Sequence, residues 1–302
     1  MLSEMQKQII KLKKQNGVCI LAHSYQAHEI VEIADFTGDS YQLSVQATKT
    51  DAKTVLMCGV RFMAQTVKIL SPDKKVLLSH PQAGCPMAQQ MSAEYVSEQR
   101  ARLGNCPVVC YINTTAELKT VCDVCVTSSC AAKVVAAMDA DELLFVPDCN
   151  LGRFVAQTVP NKKIHLLQGG CPIHSAVTAQ DVAQARALYP DALLLVHPEC
   201  VSEVAALADY VGSTSGIMKF AQDSSAREFI IGTELSIAEH LQYACPDKRF
   251  YPLSKKLICP DMRLTTLPDV LNCLRGGGEE VTLDPRTIAL ARRCIDKMIE
   301  LS

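Results

Sequence analysis

The sequence predicts an α/β protein made of three homologous three-layer αβα units with parallel sheets, set around a pseudo-threefold axis. Two observations carry that prediction. Short apolar runs without alternation recur between helical stretches, the pattern of βαβ units whose strands are covered on both faces. A set of motifs also recurs along the chain at steps of 86 to 88 residues, the mark of an internal repeat.

In chain order, an amphipathic helix comes first. Lys7, Lys11, Lys13 and Lys14 share helical spacing with Ile9, Ile10 and Leu12, and the lysines read as its solvated face. Apolar runs at 18–22, 54–58, 108–112, 143–146, 193–196 and 229–231 read as strands, with helical patterns such as 62–70 and 182–188 between them. The stretch Arg61-Phe62-Met63-Ala64-Gln65-Thr66-Val67 nearly recurs as Arg153-Phe154-Val155-Ala156-Gln157-Thr158-Val159. Each copy opens a helix after a strand. Each leads through Lys74-Lys75-Val76 or Lys162-Lys163-Ile164 to a Gly-Cys-Pro, at Cys85 and Cys171, and a third Cys-Pro stands at Cys259. The strand-end residues His23, Tyr111 and His197 keep the same step, and 17 residues beyond each lies a small hydroxyl: Ser40, Ser128 and Thr214. The expected units are therefore 1–84, 85–170 and 171–259, followed by a helical tail, 260–302, packing back on the repeats.

Composition narrows the function classes. Thirty Lys+Arg against 32 Asp+Glu leave a formal charge of −2, without the basic stripe of a nucleic-acid binder. The longest apolar runs, such as 192–196, fall far short of the ~18 residues needed to span a bilayer. No secretory leader pattern opens the sequence, so a cytoplasmic protein is expected. Fifteen cysteines, an odd number spread along the whole chain, do not resemble a secreted disulfide scaffold.

Ligands of parallel α/β sheets bind beyond the carboxyl ends of the strands, where the following helices present their N-termini. Three such units would aim His23, Tyr25, Asp39, Ser40, Tyr111 and Asn113 at one central cavity, together with Ser128, His174, His197, Glu199, Ser213 and Thr214. Ser40, Ser128 and Thr214 read as helix caps that also contact ligand, and Ser213-Thr214-Ser215-Gly216 as the best anion site. The same symmetry would bring Cys85, Cys171 and Cys259 together. Three thiolates match three irons of a cubane cluster whose fourth iron is open, and three thiolates with a water also suit one Zn²⁺; symmetry alone does not choose. Cys122 and Cys125 form a C-x-x-C inside a run, 121–126, that reads as strand. Residues three apart in a strand face opposite ways, which speaks against joint metal binding. The other cysteines read as small apolar filler.

Several motifs give the chain a wider likeness. They include Leu21-Ala22-His23-Ser24-Tyr25-Gln26, Tyr111-Ile112-Asn113-Thr114, Pro147-Asp148-Cys149-Asn150-Leu151-Gly152, His197-Pro198-Glu199-Cys200, Gly212-Ser213-Thr214-Ser215 and Gly232-Thr233-Glu234. With these, nearly the full length resembles the quinolinate synthase family. The resemblance implies condensation of iminoaspartate with dihydroxyacetone phosphate to quinolinate in de novo NAD biosynthesis, with release of phosphate and water. It implies a 4Fe-4S cluster on Cys85, Cys171 and Cys259 whose open iron acts as a Lewis acid. It implies acid–base roles for Tyr25 and Glu199 with His23 and His197 beside them. It gives Ser40, Tyr111, Asn113, Ser128, His174, Ser213 and Thr214 to substrate carboxylates and phosphate. A functional coupling to the aspartate-oxidising enzyme that supplies iminoaspartate is expected too. The chain departs from the family pattern at Ser24 and Cys130, where Asn is usual, and at Pro260-Asp261-Met262, where some members carry further cysteines. A zinc hydrolase and a non-catalytic iron or redox sensor are the readings from other classes.

Overall fold

In the computed structural model, which describes residues 2–302, the apolar runs become strands of three separate sheets. The first holds β1 (Val18–His23), β2 (Phe36–Gly38), β3 (Thr54–Cys58) and β4 (Lys75–Leu78). The second holds β5 (Val108–Tyr111), β6 (Val124–Val126), β7 (Glu142–Val146) and β8 (Lys163–Leu166). The third holds β9 (Leu193–Val196), β10 (Tyr210–Val211), β11 (Glu228–Gly232) and β12 (Arg249–Pro252). Their strand orders are the same, β2-β1-β3-β4, β6-β5-β7-β8 and β10-β9-β11-β12, with every neighbouring pair parallel. Triplication of one α/β unit is thus a property of the fold. The central strands β1 and β5 are buried along nearly their whole length, which explains why their sequences do not alternate.

The repeat reaches down to single hydrogen bonds. Asp35, Asp123 and Asp209 each accept a backbone N–H near the start of the neighbouring strand, from Ile20, Val108 and Leu194, at 2.8, 2.7 and 2.7 Å. Each carboxylate also pairs with a cation from a helix: Lys13, Arg100 and Arg186. Lys74, Lys162 and Lys248 donate to backbone carbonyls at or just beyond the ends of the helices Ser40–Lys49, Ala131–Ala137 and Thr214–Asp223, where a helix leaves its acceptors unpaired.

Three local expectations change. Lys13 does not belong to the solvated face of the helix Glu4–Asn16: it is buried, and its ammonium donates to Ile33 O and Asp35 Oδ1 at 2.6 and 2.9 Å. Only Val124–Val126 of the run 121–126 is strand, and Cys122 lies in the turn before it. The strand-alternation argument therefore does not apply to Cys122, but the two do not share a metal-sized group: the sulfurs within 4.8 Å of one another are those of Cys110, Cys125 and Cys294. After Cys259 the chain is not helical throughout. A turn with Gly276 at φ 95°, a value that favours glycine, leads into β13 (Glu279–Glu280), which pairs antiparallel with β4.

The C-terminal helix (Pro285–Leu301), capped by Asp284, buries Ala291, Cys294, Ile295 and Met298 in the core of the second unit. Ile295→Ala should cost roughly 2–5 kcal/mol through the cavity it leaves, read as a lower midpoint in urea. An unchanged midpoint would mean that this helix does not seal the core.

Candidate active site

The carboxyl ends of β1, β5 and β9 carry His23, Tyr111 and, one residue on, His197, and all three side chains line one cavity of about 150 Å³. Tyr25, Asp39, Ser40, Asn113, Ser128, His174, Glu199 and Thr214 line it as well, as do Cys85, Cys171 and Cys259. Ser213 is the exception among the expected residues. It stands behind the cavity and caps the helix Thr214–Asp223, accepting the Gly216 N–H at 3.1 Å. Asp39 likewise caps the helix Ser40–Lys49, accepting from Tyr41 and Gln42. In the first and third units the cap is thus one residue earlier than expected, which leaves Ser40 and Thr214 on the cavity side; in the second the cap position is Cys130, two residues after Ser128.

His23 and His197 are held alike. Each Nδ1 accepts the backbone N–H two residues on, from Tyr25 at 3.1 Å and from Glu199 at 3.3 Å. Burial depresses their pKa values to about 3 and about 4. Both rings are therefore neutral near pH 7, with the proton on Nε2, and that of His197 points at Ser128 Oγ, 3.3 Å away.

A chain of close polar contacts crosses the cavity floor. Glu199 Oε1 accepts from Tyr111 OH at 2.7 Å, and its Oε2 lies 2.9 Å from His174 Nδ1, which also stands in hydrogen-bond contact with Cys171 Sγ at 3.2 Å. His174 Nε2 lies 3.0 Å from Thr233 Oγ1, which is 2.8 Å from Tyr25 OH, which is 2.9 Å from Thr214 Oγ1. Burial works against the Glu199 charge, but the His197 and His174 rings and the bonds from His174 and Tyr111 hold its pKa down to about 2. Burial, and then the Glu199 charge, push the Tyr25 and Tyr111 phenols well above their usual range. The floor thus carries one carboxylate and two protonated phenols, joined through His174 and Thr233. Sequence reasoning quoted Thr233 in a motif and gave it no task.

The three cysteines are equipped alike. Backbone N–H groups two and three residues further on, of Met87 and Ala88, Ile173 and His174, Asp261 and Met262, favour the thiolate form of each sulfur. Cys171 and Cys259 stand immediately before a short helix with proline in its first turn. Burial pushes the Cys85 and Cys259 thiols up to about 12 and about 11, and Cys171 well above its usual range. Ligation would displace those protons. The N–H donors aimed at each sulfur suit an iron–sulfur centre, whose properties depend on such bonds. The three sulfurs are not all within 4.8 Å of one another. Two thiolates on one zinc, with Zn–S of about 2.3 Å, stand no more than about 4.6 Å apart, so the arrangement fits a larger, polynuclear group better than a single ion.

Two buried carboxylates stand behind these cysteines and were given no role from sequence. Asp148 accepts the Cys171 N–H at 3.0 Å and the Leu151 N–H at 2.7 Å. Glu234 accepts the Cys259 N–H at 3.4 Å and the Ser236 N–H at 2.8 Å. The equivalent position of the first unit is Val60, so Cys85 has no such clamp. Asp148→Ala leaves two N–H groups unpaired, at roughly 1–3 kcal/mol each where they stay dry. It should speed iron loss to a chelator several-fold, while Asp148→Asn, which keeps an acceptor oxygen, should restore most of the retention. Equal loss rates for wild type and Asp148→Ala would remove the positioning role.

Comparison with known proteins agrees with this geometry. The family model described as quinolinate synthetase A protein matches residues 7–300. The chain belongs to that family. It is 46% identical over 299 residues to quinolinate synthase of Alkaliphilus metalliredigens, covering 99% of each chain. It is 44% identical over 301 residues to that of Thermodesulfovibrio yellowstonii, covering 100% of this chain and 99% of the relative. With that of Methanoregula boonei the identity is 45% over 297 residues, 98% of each. Quinolinate synthetase A relatives in bacteria and archaea thus align with the whole triplicated unit. No described helix is long and apolar enough to cross a membrane.

Proposed function

We propose that the chain is a quinolinate synthase: it condenses iminoaspartate with dihydroxyacetone phosphate to quinolinate, releasing phosphate and two waters, in cytoplasmic NAD biosynthesis. The observation that carries this reading is the meeting of three N–H-armed cysteines with the Glu199–His174–Thr233–Tyr25 chain in one cavity. Cys85, Cys171 and Cys259 would hold a 4Fe-4S cluster, which when bound supplies a Lewis-acidic open iron.

The chain's own residues do the rest. The neutral Nε2–H groups of His23 and His197, the amide of Asn113 and the hydroxyls of Ser40, Ser128 and Thr214 offer donors to two carboxylates and a phosphate. Ser40 and Thr214 add the first turns of two helices, whose free N–H groups favour anions. Building an aromatic ring from these substrates needs protons taken from carbon and given to leaving oxygen. Glu199, ionised, is the acceptor; Tyr25, protonated, is the donor; His174 and Thr233 connect them, so a proton taken at one end can be replaced at the other. Phe62, Met63 and Tyr41 form an apolar wall that limits water at the reacting carbons. The aspartate-oxidising enzyme would supply iminoaspartate.

The test is quinolinate formation from iminoaspartate and dihydroxyacetone phosphate by anaerobically reconstituted protein, with iron and sulfide measured on the same sample. About four of each per chain, with turnover, supports the reading; a full cluster without quinolinate would refute the activity. Stoichiometric zinc without sulfide at the cavity would return the zinc hydrolase, which the sulfur spacing disfavours.

A further inference from the structure

Tyr25, Asn113 and Glu199 occupy one position of the repeat, two residues after His23, Tyr111 and His197, and all three side chains line the cavity. Two of them are held from a neighbouring unit. Ser236 Oγ donates to Tyr25 O at 3.1 Å, and Asn150 Nδ2 donates to Glu199 O at 3.1 Å. Asn150 and Ser236 themselves stand one repeat step apart, in the first turns of the helices Cys149–Thr158 and Ser236–Ala244 that follow β7 and β11. The second unit thus grips the third, and the third grips the first. Phe62 holds the matching position of the first unit and has no donor. There Lys119, 1% exposed, secures the Asn113 loop instead, donating to Ile112 O and Thr114 O at 2.8 and 2.6 Å.

Both donors are aimed from behind by an arginine. Arg153 Nη1 donates to Asn150 Oδ1 at 3.0 Å, which turns the amide N–H groups toward Glu199 O and, at 3.2 Å, Ser175 Oγ. Arg263 Nη2 donates to Ser236 Oγ at 2.8 Å. A guanidinium accepts nothing, so the Ser236 proton goes to Tyr25 O. Asn150 and Ser236 are buried. The peptides they grip are tied at the other end too: the Gln26 N–H donates to His23 O at 2.9 Å and the Cys200 N–H to His197 O at 3.0 Å. The peptide unit leaving Tyr25 and that leaving Glu199 are therefore pinned on both sides. Two residues before each donor stand Asp148 and Glu234, which hold the amides of Cys171 and Cys259.

We propose that Asn150 and Ser236 are positioning residues of the acid–base pair. Each fixes, from a neighbouring unit, the backbone from which Glu199 or Tyr25 projects. Through Asp148 and Glu234 the same two segments set that backbone against Cys171 and Cys259, so proton-transfer groups and cysteines share one frame. This rests on the roles given above to Glu199 and Tyr25. Such fixing matters because a misplacement of about 1 Å can cost ~10²-fold in rate, and catalytic groups need a supporting shell that locks them.

The test compares Asn150→Ala and Ser236→Ala with the wild type, all as reconstituted holoenzyme; Asn150→Asp, of the same shape without N–H donors, serves where Asn150→Ala does not fold. Iron, sulfide and KM should stay as in the wild type, with kcat lowered about 10- to 100-fold. Hydrogen exchange should quicken several-fold at the Cys200 amide in the Asn150 variant and at the Gln26 amide in Ser236→Ala. Adding Asn150→Ala to Glu199→Gln, or Ser236→Ala to Tyr25→Phe, should cost little further turnover, because the group being placed is already gone. A general loosening of the fold would instead cost as much there as in the wild type. Unchanged kcat in the single variants, full additivity in both pairs, or unchanged exchange at both amides would each overturn the proposal. A wild type that made no quinolinate would overturn the activity, and exchange at Cys200 and Gln26 would still decide whether Asn150 and Ser236 hold these residues.

Discussion

Replacing Cys171 by Ser should abolish iron retention and turnover together. The Cys171 sulfur sits at the start of a short helix, where the Ile173 and His174 N–H groups favour its thiolate, and its own amide is fixed by Asp148. A serine hydroxyl in that position keeps the backbone arrangement but offers iron a harder ligand that gives up its proton far less readily. The same outcome is expected for Cys85→Ser and Cys259→Ser. Cys85, whose amide lacks a carboxylate clamp, should be the ligand from which iron is most easily lost in the wild type. Loss of a Lewis-acidic metal removes several kcal/mol of transition-state stabilisation, so turnover should fall by at least about 10³-fold. Cys200→Ser, at a buried cysteine whose thiol reaches only Gly232 O, should keep a full complement of iron and sulfide. A Cys171→Ser protein with wild-type iron would mean that the ligand set is wrong.

The parts of this site that were readable in the sequence are those that repeat. His23, Tyr111 and His197 could be placed because three strands end in step, and Cys85, Cys171 and Cys259 because three Cys-Pro pairs do. The carboxylates behind the cysteines also keep that step, at Val60, Asp148 and Glu234, but the first copy is apolar and hides the pattern. Thr233 has no local signal, because its role arises only when β11 brings it beneath Tyr25 and His174 from distant parts of the chain. Lys13 and Cys122 were misread for a related reason. Helical spacing describes an isolated segment, whereas the Ile33 carbonyl and Asp35 carboxylate that hold Lys13 belong to another, and an apolar run does not show where its strand begins. Ser213 failed by a single residue, since a cap and the first helical residue are both small hydroxyls here and only geometry shows which one turns inward.

The sharpest test of the acid–base reading is Glu199→Gln. The carboxylate accepts from Tyr111 OH and lies 2.9 Å from His174 Nδ1, and the amide can keep the Tyr111 bond through its oxygen while its NH₂ opposes the His174 ring. Its proton-accepting capacity is gone, so kcat should fall about 10²–10⁴-fold, the usual worth of a positioned general base, with iron and sulfide unchanged. Because Glu199 stands with Cys171 and His174 in a group of ligating atoms within 4.8 Å, iron content decides between two roles. Lost iron would make Glu199 a metal-site residue and remove it as the base. Tyr25→Phe cuts the other end of the chain through Thr233 and His174 and should lower kcat by a similar factor. If the two residues act as one relay, the double variant should be scarcely slower than the worse single one, since groups that work as a unit are not additive. A double variant showing the product of the two losses would mean that Tyr25 and Glu199 serve separate steps, and that the hydrogen-bonded path between them carries no proton.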